Sequence, residues 1–308
     1  MNSPLSIRHA STAVISRISR QRRRSQGRSN GVPVPVAWLS EPAAFSGWVA
    51  MGTPVVSPYS TEMVILRQVS GPRLGLAVTA LLTYRLRQLI AHRCPLAGNW
   101  LGQERSSRGK RHLGRQIAPV PLAQVGRQSA DGRLLGVGLL LPRGVAYVEA
   151  LRAFSQLLFD EEGRPRRIEL KLGKPGTCHV LLDENSRLGS ALGSRYWCGP
   201  ARRWASVTPV GLERVPHRKA FWRHIEQQVA DACCRLGLPQ PTSVIASSAP
   251  LLAGAPNARQ MPLLTRLTGG AIRHTHAVIE FDEWVEGPIL LGAGWHRGYG
   301  FFCPLLDA

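Results

Sequence analysis

Short apolar runs of strand length alternate along this chain with stretches whose apolar residues recur every three or four positions, and glycine or proline separates them. Met63-Val64-Ile65-Leu66 reads as a strand. Val78, Leu82, Leu86, Leu89 and Ile90 then share one face of a predicted helix that runs to about His92, with Arg85 and Arg87 elsewhere on it. Residues 95–132 read as loop-rich. A strand over 133–141 is stopped by Pro142. A helix over 146–159 carries Leu151, Phe154 and Leu158 on one side. Two strands, 168–172 and 179–182, flank a loop that starts Gly173-Lys174-Pro175-Gly176, a hairpin signal.

The second half repeats the theme. A strand over 204–210 precedes the clearest helix, 217–236, whose apolar stripe is Phe221, Ile225, Val229 and Ala232, with Gly237 as its stop. Short strands follow at 244–246 and 277–281, and 288–291 leads into a glycine-rich end. β-α-β segments with hairpins between them suit an α+β chain better than a long parallel sheet. The expected architecture is two tandem ferredoxin-like (RRM-like) units, over 60–185 with a loop insertion and over 200–308, the second with a C-terminal glycine-rich loop.

Apolar residues make up 44% of the 308, enough for a sizeable core. No apolar run approaches the roughly 18 residues that span a bilayer, so no membrane partner is expected. Six cysteines occur without a CxxC pair, and Cys233 and Cys234 are adjacent on a predicted helix. That spacing suits neither a zinc site nor a disulfide framework, and a reducing cytoplasm is the default. The 39 basic residues against 19 acidic leave a net charge of +20, which favours a polyanion partner through counterion release. Only four of the basic residues are Lys, a preference that a GC-rich genome also produces. Residues 1–35 hold seven Arg and no acid. Residues 1–45 therefore read as a disordered basic tail, with a transit segment or a misplaced start as alternatives.

Four glycines recur in Gly292-Ala293-Gly294-Trp295-His296-Arg297-Gly298-Tyr299-Gly300. Glycine admits positive φ and close backbone approach, and exposed amides in such a loop receive phosphate oxygens. His296 and Arg297 add donors at the same place. A dinucleotide fingerprint needs a βαβ unit after the glycines, and none follows, so no cofactor is expected. A tight structural turn is the alternative.

The stretch 273–305, with His276, Phe281, Val285, Gly287-Pro288 and the glycine-rich loop, resembles the CRISPR-associated RAMP endoribonucleases, in particular the fused subunit of type I-U (I-G) systems. Residues 129–136 (Ser-Ala-Asp-Gly-Arg-Leu-Leu-Gly) and 204–210 (Trp-Ala-Ser-Val-Thr-Pro-Val) are similar to the same family, in the same order. The resemblance covers about 60–308. It implies ferredoxin-like folds, binding of CRISPR repeat RNA, metal-independent cleavage, and other subunits of a type I surveillance complex as partners. It also implies a longer first domain, most of which this chain lacks. Two positions depart from the family pattern: Gly98-Asn99 stands where a Gly-His pair is usual, and Trp295 where a basic residue often occurs.

Metal-independent RNA cleavage uses the ribose 2′-OH as nucleophile. It needs a base for that proton, an acid for the leaving 5′-oxygen and cations around the phosphate, and histidine suits both proton transfers. His112 is the first catalytic candidate, flanked by Lys110, Arg111 and Arg115, and His92 is the second. A solvated surface histidine is the bland reading of each. RNA contacts are expected at Lys110, Arg111, Arg115, Arg273, His276, His296 and Arg297 and at the amides of Gly292, Gly294, Gly298 and Gly300. His274 and His276 share a strand face, but no third metal ligand is evident. Tyr299 and Trp295 are candidates for base stacking or for the core. A non-catalytic RNA-binding subunit and a generic basic RNA-binding protein are the rival functions.

Overall fold

A computed structural model describes residues 53–94, 97–101, 116–127, 129–184, 190–216, 220–266 and 269–305. The expected basic tail over 1–45 lies outside them. In chain order the strands and helices are β1 (Val55–Val56), β2 (Tyr59–Ser70), α1 (Thr79–Arg93), α2 (Gly98–Leu101), β3 (Ala118–Ala123), β4 (Leu134–Pro142), α3 (Tyr147–Ala153), α4 (Ser155–Leu158), β5 (Ile168–Lys171), β6 (Thr177–Leu182), α5 (Ser194–Cys198), β7 (Ala201–Ser206), β8 (Val210–Gly211), α6 (Phe221–Arg235), β9 (Ser243–Ser247), β10 (Leu264–Thr265), β11 (Ala271–Ile272), β12 (His274–Glu286) and β13 (Phe302–Leu305).

Among the described residues, five of these strands form an antiparallel sheet in the order β3-β4-β2-β6-β5. The strand β4 lies between β2 and β3, the two strands that α1 connects, which is the split β-α-β arrangement. The same order recurs in the second half as β9-β12-β7-β13, again antiparallel, with α6 connecting β7 to β9. The short strands β8 and β1 pair with the two ends of β12, β1 in parallel. The chain is therefore α+β with two like units in tandem, as its apolar pattern predicts. It departs from that pattern where β1 crosses from the start of the chain into the second sheet.

Three local differences have physical causes. Residues 118–123 fall in the stretch 95–132 that reads as loop-rich, yet they form β3 and every residue in it is buried. This strand lies at the outer position of its sheet, and two prolines spaced by two turn their missing N–H groups to the same side. The helix expected over 146–159 is broken at Phe154 (φ −94°, ψ 6°) into α3 and α4. The helix α6 begins at Phe221, after Ala220 in the left-handed region (φ 57°).

One apolar core runs through both units. It joins Leu66, Leu86, Val120, Leu139 and Phe154 to Trp197, Val207, Trp295, Tyr299 and Phe301. A second core lies between the second sheet and α6, built from Trp204, Val229, Cys233, Ile279, Phe281 and Phe302.

Candidate nucleic-acid interface

The helix α1 holds no glycine or proline. Its buried residues Leu82, Leu86 and Ile90 recur at four-residue spacing, so Tyr84, Arg85, Arg87 and Gln88 fall off the apolar stripe. His92 and Arg93 in its last turn suit the negative end of the helix dipole.

Three groups of residues converge on the polar side of α1. The guanidinium of Arg297, from the second unit, lies 4.6 Å from the centroid of the Tyr84 ring, a cation–π distance. Arg85 donates to Gln88 Oε1 at 3.0 Å, and Gln88 donates to the Tyr84 hydroxyl at 2.8 Å, so the ring is held from its far end. One turn along, Arg87 donates to the carbonyls of Leu101 (2.7 Å) and Ile117 (3.5 Å), while Ile117 N–H donates to Trp100 O at 2.7 Å. Those residues bracket segment 102–115. Arg87 thus holds the carbonyls of Leu101 and Ile117, one turn of α1 from Tyr84.

The candidates His112, Lys110, Arg111 and Arg115 belong to that segment and lie outside the described residues, as does the side chain of Asn99. His92 is exposed, two turns beyond Tyr84 and so roughly 12 Å along the axis. His296 and Arg297 are half-buried. Arg273 is exposed just before β12, and its carbonyl accepts Leu212 N–H at 2.7 Å.

The glycines behave otherwise than expected. Gly292, Gly294, Gly298 and Gly300 are buried. The amides of Ala293, Arg297, Gly298 and Gly300 donate to the carbonyls of Gly211, Gly294, Trp295 and Pro209 at 2.8–3.0 Å. Four amides of this segment are therefore committed within the protein rather than open to a phosphate. Close approach explains the residue type: a Cβ at Gly300 would stand 1.9 Å from Leu291 O, and one at Gly298 would stand 2.8 Å from Thr79 Cγ2 of α1. Thr208 locks the joint, donating from Oγ1 to Gly298 O (2.8 Å) and accepting from Phe301 N–H (3.1 Å). The stretches 204–210 and 292–300 thus meet one another. Trp295 and Tyr299 are core residues rather than stacking platforms, with Tyr299 O–H donating to Pro262 O at 2.6 Å.

His276 is also turned inward, at 2% exposure. Ala277 N–H donates to Ser206 Oγ (3.0 Å), leaving the Ser206 hydroxyl to donate to His276 Nδ1 (2.9 Å), and His276 Nε2–H donates to Pro256 O (2.9 Å). Burial lowers its pKa. A neutral imidazole with both nitrogens engaged ties β12 to β7 and to residue 256; it is not a surface contact for RNA.

Sequence reasoning missed Tyr84 and gave Arg87 no role. Their place off the apolar stripe of α1 was the available signal. Among the described residues, no group of three or more His, Cys, Asp or Glu could hold a metal ion, and no helix is long and apolar enough to cross a membrane.

No protein-family profile matches the chain, and no curated protein matches its sequence. Among solved structures it is similar to one described as the crystal structure of Cas6b, at 11% identity and a TM-score of 0.39, over 79% of this chain and 99% of that one. It is also similar to one described as a RAMP protein binding different RNA substrates, at 12% identity and a TM-score of 0.37, over 80% of this chain and 100% of that one.

Proposed function

We propose that this chain binds RNA and processes precursor CRISPR RNA as a metal-independent endoribonuclease, then retains the guide in a type I surveillance complex in the cytoplasm. Support comes from the net charge of +20, the three family-like stretches and one structural observation: Arg297 of the second unit stacks on Tyr84 of α1, one turn from Arg87, which holds the carbonyls of Leu101 and Ile117. RNA lies along the polar side of α1, with Arg297, His296 and the arginines of segment 102–115 on its phosphates. His112 takes the proton from a ribose 2′-OH as that oxygen attacks the adjacent phosphorus. The bond from phosphorus to the 5′-oxygen breaks, and His92 is the second candidate, to protonate the leaving oxygen. The products are a 2′,3′-cyclic phosphate and a 5′-hydroxyl.

A second reading follows from Asn99, which stands where the resemblance calls for histidine: asparagine transfers no proton at neutral pH, and the chain would then hold guide RNA without cutting it. Incubating purified protein with repeat RNA in EDTA separates the two. Cleavage that leaves a cyclic phosphate and is lost in His112→Ala supports the first reading. Tight binding with intact RNA supports the second. Equal affinity for repeat and random RNA would reduce the chain to a generic basic RNA-binding protein.

A further inference from the structure

The first sheet is unevenly covered. The strands β3 and β4, and residues 63–66 of β2, are buried almost throughout, and α5 packs against β2. Over β6 and β5 the burial alternates: Cys178, Val180 and Leu182 are buried while Thr177, His179 and Leu181 are half-exposed, and Ile168 and Leu170 are buried while Glu169 and Lys171 are exposed. With the two-residue period of a strand, this half of the sheet has one open face.

Ser70, His179 and Glu169 are cross-strand partners in one row on that face. Arg167, exposed just before β5, donates to Ser70 Oγ, and Ser70 Oγ lies 3.0 Å from His179 Nδ1. An oxygen that accepts from a guanidinium keeps its own hydrogen, which the Ser70 hydroxyl can give to Nδ1. In that arrangement His179 Nε2 carries the hydrogen. The carboxylates nearby are engaged elsewhere, Glu169 with Lys171 at 3.8 Å and Asp183 with Arg67 at 3.6 Å. Arg167 has no ion-pair partner among the described residues.

We propose that Arg167 and His179 seat a phosphodiester of the bound RNA, giving the protein a second backbone contact on the open half of the first sheet, apart from the α1 surface. The guanidinium retains N–H donors beyond the one spent on Ser70, and His179 Nε2–H supplies a further donor beside it. Lys171, and Lys174 in the turn between β5 and β6, add to the positive field. No Phe, Tyr or Trp side chain joins this row, and its donors suit the backbone rather than a base edge.

The inference rests on the RNA-binding reading, and the experiment separates the two. Affinity of the full chain for a repeat RNA is measured across a salt series for wild type, Arg167→Ala, Arg167→Glu, His179→Ala and Arg297→Ala, with unfolding curves confirming that each variant is folded. Loss of one phosphate contact lowers the slope of log K against log salt by about 0.7 to 0.9. Arg167→Ala shows that decrement, Arg167→Glu weakens binding further, and His179→Ala weakens it as well. Wild-type affinity and slope in Arg167→Glu and His179→Ala, alongside weakened binding in Arg297→Ala, overturn this inference, leave the RNA-binding reading standing and give the face to a protein partner instead. Absence of salt-dependent RNA binding by the wild type overturns both.

Discussion

The two units share a strand order and differ in how the third strand reaches the fourth. In the first, the chain leaves β4, forms α3 and α4 and returns through β5 to β6; Leu151, Phe154, Leu157 and Leu158 bury this connection over its own sheet. In the second, β12 reaches β13 through residues 287–301, whose one helical turn is the 3-10 turn Trp295–Arg297. That connection is bound to its own unit at Pro209 and Gly211 and also reaches the first, with Gly298 against Thr79 and Thr83 of α1 and Pro121 of β3. One connection is a cover and the other is a joint. The joint brings Arg297 onto Tyr84, so the cationic face of α1 is completed by a residue from the other half of the chain. Duplicating a fold yields a new surface only where the copies stop being alike.

The largest test of this contrast lies in the glycines. Gly300 has φ +74° and room for no Cβ, which would stand 1.9 Å from Leu291 O. Gly173, in the hairpin of the first unit, has φ +67° and nothing within 4 Å of a Cβ. Gly300→Ala is expected to cost about 3 kcal/mol or more, from backbone strain and a backbone clash together. Gly173→Ala carries only the left-handed penalty, about 1 kcal/mol. Denaturant midpoints check both, and equal losses would show that the joint is not held by close packing.

His276 comes next. His276→Ala leaves the Ser206 hydroxyl and the Pro256 carbonyl buried without their partner, at a cost of about 2 kcal/mol. Its lowered pKa also gives stability a direction with pH. The folded chain resists protonating this imidazole, whereas the unfolded chain binds the proton near pH 6.5. Stability is therefore full above that pH and falls as pH drops through it toward the lower folded value. Wild type should lose more stability than His276→Gln between pH 7.5 and pH 5.5, with His274 the nearby charge that adds to the effect. Parallel loss in both proteins would assign the pH dependence to other groups.

Apolar periodicity was enough to read the α+β class, α1, α6 and most strands, because strands and helices bury their faces at different periods. It failed at β3, which lay within the loop-rich stretch 95–132 and whose Pro119 and Pro121 are tolerable only because the strand is at the edge of its sheet. Glycine spacing at 292–300 correctly marked a special backbone but not its purpose. Open amides and close packing demand the same residue, and only the neighbours Leu291, Gly211 and Thr79 decide between them. His276 was misplaced for a related reason, since an imidazole in a strand gives no sign of facing Ser206. Arg87 and Tyr84 could be read only as lying off the apolar stripe of α1; what they do depends on Leu101, Ile117 and Arg297, which are distant in sequence.

The smallest expected effect on stability is at Arg297, and it bears most directly on function. A half-exposed cation–π pair contributes about 0.5 to 1 kcal/mol, so Arg297→Ala should unfold close to wild type, unlike Gly300→Ala three residues away. Its cost belongs in RNA affinity: weaker binding to any RNA sequence, with the salt slope reduced by about 0.7 to 0.9 for one lost phosphate contact. Tyr84→Leu removes the platform but no charge, so it should weaken binding with little change in slope. If Arg297→Ala instead destabilised the fold by several kcal/mol and left RNA affinity intact, Arg297 would belong to the joint along with the glycines. The polar side of α1 would then lose its claim to be the interface.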